Sequence, residues 1–115
     1  MRIAPTRWIA LLLLTSIGAA PIAAFAAEPD GSALFQANCA KCHGPDGKAN
    51  TPVSKAMKAP SLMDSTIVTK GDTRMLVERI GAIDKHKPIT SKLSPEELNA
   101  IAKHVHEMGG KKPKS

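Results

Sequence analysis

The chain has 115 residues, a formal net charge of +6 and only three aromatic side chains, Trp8, Phe25 and Phe35. That length allows one small domain beyond any leader and excludes a second one. A domain so poor in aromatic residues has a thin core and needs a metal, a disulfide or a similar staple.

Residues 1–26 open with Arg2 and Arg7, continue through the apolar Trp8 to Leu14 stretch and end in Ala24-Phe25-Ala26. A basic start, an apolar middle and a small-x-small end predict a secretory signal peptide. Thr15, Ser16, Gly18 and Pro21 interrupt the apolar stretch, leaving it short of the about twenty residues of a stable span; an uncleaved anchor is the alternative. The arginines are not adjacent, so a twin-arginine route is not indicated. Cleavage leaves a domain over 27–115 with Phe35 as its one aromatic residue and a balance of +4. Its expected location is the periplasm or another exported compartment.

The domain reads as helices joined by loops. Asp30 caps a first helix through Ala33, Leu34, Phe35 and Ala37, placing Cys39 and Cys42 at a helix end. Gly44-Pro45-Asp46-Gly47-Lys48 breaks it, and the chain to Pro60 is turn-rich, with Pro52 as a second stop. Leu62 to Val68 is too short and mixed to assign. A further helix starts after Asp72, carries Leu76, Val77 and Ile80 on one face and ends by Gly81. Ser94-Pro95-Glu96-Glu97 forms a capping box for the last helix, in which Leu98, Ile101, Ala102, Val105 and Met108 recur at helical spacing until Gly109-Gly110 stops it. Lys111 to Ser115 read as a solvated basic tail.

Cys39-Ala40-Lys41-Cys42-His43 carries the chemistry. Two thiols three residues apart can each bond one vinyl group of a haem, and the adjacent imidazole can reach the iron from the same side, which is the c-type haem attachment signature. A thioredoxin-like redox pair would need a strand before Cys39, and a structural zinc site about two more ligands nearby; neither is visible. A disulfide between Cys39 and Cys42 would close a very small loop and leave His43 unexplained. One covalently attached haem c is expected, with His43 as the proximal ligand and the porphyrin supplying apolar volume that the chain lacks.

With this run in place, the stretch Gly31-Ser32-Ala33-Leu34-Phe35, the attachment run with Gly44, and Lys92-Leu93-Ser94-Pro95-Glu96-Glu97-Leu98 together resemble the small monohaem class I cytochromes c. The resemblance implies a small all-α fold of three to four helices around the haem, with the first and last helices crossing. It places Gly31 and Phe35 at that crossing and makes His104, where the family usually has an aromatic ring, a packing residue; His106 points to another face. Pro60, in Ala59-Pro60-Ser61-Leu62, resembles the proline whose carbonyl accepts a hydrogen bond from the haem histidine; an ordinary turn proline is the alternative.

The family usually takes its sixth iron ligand from a methionine before a proline, in the loop ahead of the last helix. The segment Ala82 to Ser91 has no methionine. Counting back from Leu93, His86 falls about where that methionine would be and becomes the candidate distal ligand, the alternative being an exposed loop histidine. Lys87 precedes Pro88 but would have to lose a proton to bind iron. Met57 and Met63 would need their loop to fold over the distal side, Met75 and Met108 sit in helical patterns, and an open iron is the last option.

The leading function is electron carriage by ferric/ferrous cycling between redox partner proteins, with no enzymatic turnover. The alternatives are a haem sensor or small-ligand-binding protein with an open or displaceable sixth position, and a peroxidase-like enzyme, for which no distal acid and base pair is visible. Lys41, Lys48, Lys85 and Lys87 lie in segments expected to border the crevice, where they could guide an acidic partner. No nucleic-acid partner and no stable membrane span after cleavage are expected.

Overall fold

The computed structural model describes Gly18 and residues 27–110. The expected signal peptide, Gly18 apart, and the basic tail lie outside the described residues. Seven helices occur among the latter, three of two turns or more and four of about one turn, with no strand. The expected all-α class holds.

Helix α1 (Gly31–Asn38) begins where Asp30 Oδ1 accepts from the backbone N–H groups of Ser32 and Ala33 at 3.0 and 3.1 Å. Those are donors that no helical carbonyl can reach, so the carboxylate selects the starting point. The chain kinks at Cys39 and resumes as α2 (Ala40–His43), which places the attachment run in a short rigid turn.

Pro52 is not a stop. It opens α3 (Pro52–Met57), with Thr51 Oγ1 accepting from Ser54 N–H at 3.0 Å. A proline at the first helical position loses no hydrogen bond, and a hydroxyl just before it marks a beginning. The helix ends at Lys58, whose φ of 52° and ψ of 40° are left-handed; that conformation costs a residue with a β-carbon about 1 kcal/mol.

The unassigned middle segment contains α4 (Thr66–Lys70), five residues rich in β-branched side chains. Helix α5 (Thr73–Ala82) is capped by Asp72, whose carboxylate accepts from Met75 N–H at 2.8 Å. A 3-10 turn (Asp84–His86) and α6 (Lys87–Thr90) follow. At the head of α7 (Pro95–Gly110), Ser94 N–H donates to Glu97 Oε2 at 2.8 Å and Glu97 N–H to Ser94 Oγ at 3.1 Å, the reciprocal pair expected of a capping box. Gly109 and Gly110 extend this helix instead of stopping it.

Helices α1, α4 and α5 all pack on α7. Phe35, Val68, Leu76, Ile101, Ala102 and Val105 are buried between them, joined by Ala40; each of the larger side chains contributes about 1.5–3 kcal/mol by leaving water. His104 lies against Phe35 with ring centroids 5.6 Å apart and planes at 56°, so it is a packing residue, as expected. His106 instead ties two helices together. Its Nδ1–H donates at 2.9 Å to the Val68 carbonyl, one of the carbonyls in the last turn of α4 that lack a helical partner.

Two glycines permit close approach on α7. A methyl group on Gly31 would collide with the Ala100 carbonyl, and one on Gly109 with the Val68 side chain. Gly31→Ala should therefore destabilise the haem-loaded protein by about 1–3 kcal/mol in guanidinium unfolding. Gly81→Ala, where nothing lies within 4 Å of the added carbon, should be neutral or stabilising by up to about 1 kcal/mol.

Candidate functional site

Cys39 at the kink and Cys42 and His43 in α2 line a cavity of about 610 Å³. Pro60 and His86 line the same cavity, so every residue singled out for cofactor or iron binding meets there. Phe35, Ile67, Val68, Leu76, Ile80 and Ile101 supply apolar lining. The volume lies within the roughly 300–1,000 Å³ of cofactor sites.

No disulfide joins Cys39 and Cys42. Burial, with a smaller contribution from Cys42, pushes the Cys39 thiol up to about 11. An uncharged sulfur suits this apolar position, as a thioether would, since neither carries a charge out of water.

His43 Nδ1 lies 3.2 Å from the Pro60 carbonyl oxygen. A carbonyl can only accept, so Nδ1 carries the proton and Nε2 keeps its lone pair. Burial lowers the His43 pKa below 6.5, the Pro60 bond opposes that shift and nearby His86 adds to it. The neutral, metal-binding form is thereby favoured at neutral pH.

His86 repeats the arrangement. Its Nδ1–H donates to the Ile80 carbonyl at 3.0 Å, leaving its Nε2 free as well. Ile80 lies in the last turn of α5, whose carbonyls have no partner within the helix. The two imidazole centroids are 6.0 Å apart with planes at 66°. Ile80's contribution was not legible in the sequence, because it depends on where α5 ends and how the next turn folds back.

The other candidates separate. Met57 lines the cavity, whereas the Met63 methyl packs at Gly47 beside that of Met108. Met75 is exposed on α5, and Lys87 Nζ is 2.6 Å from Asp84 Oδ1 in an exposed ion pair. Of Lys41, Lys48, Lys85 and Lys87, only Lys85 lines the cavity; Lys58, Arg79 and Asp64 are lining residues that the sequence did not single out. No helix among the described residues is long and apolar enough to cross a membrane.

Comparison with known proteins identifies the family of the domain. The family model described as Cytochrome c matches residues 29–109. The cbb3-type cytochrome c oxidase subunit FixP of Bradyrhizobium diazoefficiens is 34% identical over 84 residues, covering 71% of this chain and 28% of that protein. FixP of Azorhizobium caulinodans is 35% identical over 98 residues, 81% of this chain and 31% of that protein. Subunit CcoP of Rhodobacter capsulatus is 34% identical over 92 residues, 70% and 29% of the two chains. This chain thus spans less than a third of the length of these curated relatives. No solved structure matches it. The chain belongs to the cytochrome c family, as a monohaem class I member, and its cofactor is covalently bound haem c.

The chain's own residues fit that group: an apolar cavity, two thiols in C-x-x-C spacing on its wall, and imidazoles whose outer nitrogens are already bonded. Denaturing mass spectrometry of the mature protein should show one haem retained, and Cys39→Ala with Cys42→Ala should abolish that mass and leave a largely unfolded chain. Stability should also fall in acid through His43. The unfolded chain takes up a proton near the ordinary 6.5, whereas a folded ring whose Nδ1–H donates to Pro60 and whose Nε2 would hold iron has no free site for one, so the contribution is fully present above that pH and lost as pH falls below it. Acid unfolding followed by circular dichroism checks the sign.

Proposed function

We propose that this c-type cytochrome is exported, holds its haem through Cys39 and Cys42, and binds the iron between His43 and His86 while passing electrons between redox partner proteins. The observation that carries the reading is the 6.0 Å separation of the two imidazole centroids. Metal–imidazole bonds of about 2.0 Å, with about 1.1 Å from each nitrogen to its ring centre, give about 6 Å across a shared metal. The fixed tautomers add to it: each Nδ1 is committed to a backbone carbonyl, which orients the ring and raises the donor strength of Nε2.

The bound haem supplies reversible one-electron chemistry at iron. The chain's residues hold the two ligands on separate short elements, α2 and the 3-10 turn, each supported by a carbonyl from outside its own element. Rigid ligand placement keeps geometry similar in the two oxidation states, so little rearrangement accompanies each transfer. Electron carriage needs no bound substrate and no turnover chemistry.

The basic, apolar leader with its small-x-small end supports export and cleavage after Ala26, with haem attachment in the periplasm. The relatives are, by name, cbb3-type cytochrome c oxidase subunits. We place this chain in the same kind of electron traffic, with partners that present acidic docking surfaces to its cations.

Imidazole in place of thioether removes the ligand that favours the ferrous state, so the reduction potential should lie below that of histidine–methionine relatives. Pro88, at the start of α6, stiffens the segment after the ligand and limits the entropy lost on coordination. His86→Ala should convert the low-spin ferric spectrum to high-spin and let carbon monoxide bind the ferrous protein readily. An unchanged spectrum and potential would move the sixth ligand elsewhere, with Met57, which lines the cavity, the next residue to replace.

A further inference from the structure

Helix α4 cannot hold its own shape. Thr66, Ile67, Val68 and Thr69 are β-branched, leaving Lys70 alone among its residues as a strong helix former, and a helix so short does not survive by itself in water. Its place matters all the same, because Ile67 and Val68 line the cofactor cavity and Val68 is 2% exposed. Gly71 N–H closes the helix on the Ile67 carbonyl at 3.1 Å, which leaves the Val68 carbonyl to find a partner elsewhere.

The last helix meets Val68 twice. Gly109 leaves room for the Val68 side chain, with which a β-carbon would collide, and His106 Nδ1–H donates at 2.9 Å to the Val68 carbonyl across 38 positions of chain. One contact engages the side chain and the other the backbone, so together they set how closely α4 sits on α7 and how it is rotated there. Of the two, the hydrogen bond is the directional one, and a carbonyl withdrawn from water and left without a donor is costly. His106 does not itself line the cavity; it reaches the cavity through α4.

We infer that His106 is a positioning residue for the redox centre: by holding the Val68 carbonyl it keeps α4 in place as an apolar, water-excluding wall of the haem cavity, and so holds the reduction potential up. Ferric haem carries one more positive charge than ferrous haem, and water stabilises the more charged form. A dry wall therefore favours the ferrous state. This role presupposes a bound haem that cycles between the two oxidation states, as the electron-carrier reading requires, but not the identity of the sixth ligand.

The test is the reduction potential of the haem-loaded protein, measured by spectroelectrochemical titration, together with amide hydrogen exchange. His106→Leu keeps bulk but has no donor. It should lower the potential and speed exchange of the Thr69 and Gly71 amides, which close α4 on Ser65 and Ile67, by about tenfold, the scale of one lost hydrogen bond. His106→Asn puts an amide N–H at the same remove from the backbone as Nδ1 and should restore both to wild-type values. Asp30→Ala removes the cap of α1, outside the cavity, and should cost stability while leaving the potential and α4 exchange unchanged. A wild-type potential in His106→Leu, no restoration by His106→Asn, or an equal fall in Asp30→Ala would overturn the inference. So would a fall in His106→Leu accompanied by an absorption spectrum showing changed iron ligation. A wild-type haem that cannot be cycled between ferric and ferrous would instead sink the electron-carrier reading itself.

Discussion

The close crossing of α1 over α7 is the contact from which the rest of the structure hangs. Gly31 lets the α1 backbone approach Ala100, and one turn later Phe35 is buried with its ring tilted against that of His104. That crossing sets where α1 ends, and hence where Cys39 and α2 begin. Helix α7 then receives α5 on another side and holds α4 through Gly109 and the His106 bond to Val68. With so few large side chains in the domain, a loss at the crossing would be felt at the cofactor wall, because Phe35 and Ile101 serve both.

Backbone carbonyls at helix ends are put to repeated use. His106 satisfies one in the last turn of α4 and His86 one in the last turn of α5. In the first case the bond ties helices together. In the second the same bond also fixes the tautomer and orientation of a ring that faces the cavity, so terminating a helix and supporting a proposed ligand are one interaction. His43 obtains equivalent support from the Pro60 carbonyl.

Much of this was legible from residues close in sequence. The carboxylate caps at Asp30 and Asp72, the Ser94–Glu97 box and the C-x-x-C-H run each consist of groups within five positions of one another, so their chemistry is visible before folding. Pro52 misled because proline ends one helix as readily as it starts another, and the decisive partner was the hydroxyl of Thr51. Helix α4 was hidden by its β-branched residues, which favour strands in isolation and are held helical by packing on α7. His86 was singled out by counting along the chain, but Ile80's carbonyl and the cavity position of Lys58 depend on tertiary placement that no local pattern encodes.

The bond between His86 and Ile80 constrains how this chain can change its length. Adding or deleting one residue within α5 turns everything beyond it by about 100°, aiming a different carbonyl at the imidazole and carrying the ring away from His43. The segment between Gly44 and Thr51 is a loop with no helical phase to keep, held instead by single contacts, Leu62 N–H donating to its Gly47 carbonyl and Ala49 N–H to that of His43. A change of length there disturbs individual hydrogen bonds, whereas in α5 it rotates the proposed ligand, so that the reading frame of one ten-residue helix is tied to the chemistry of the cofactor.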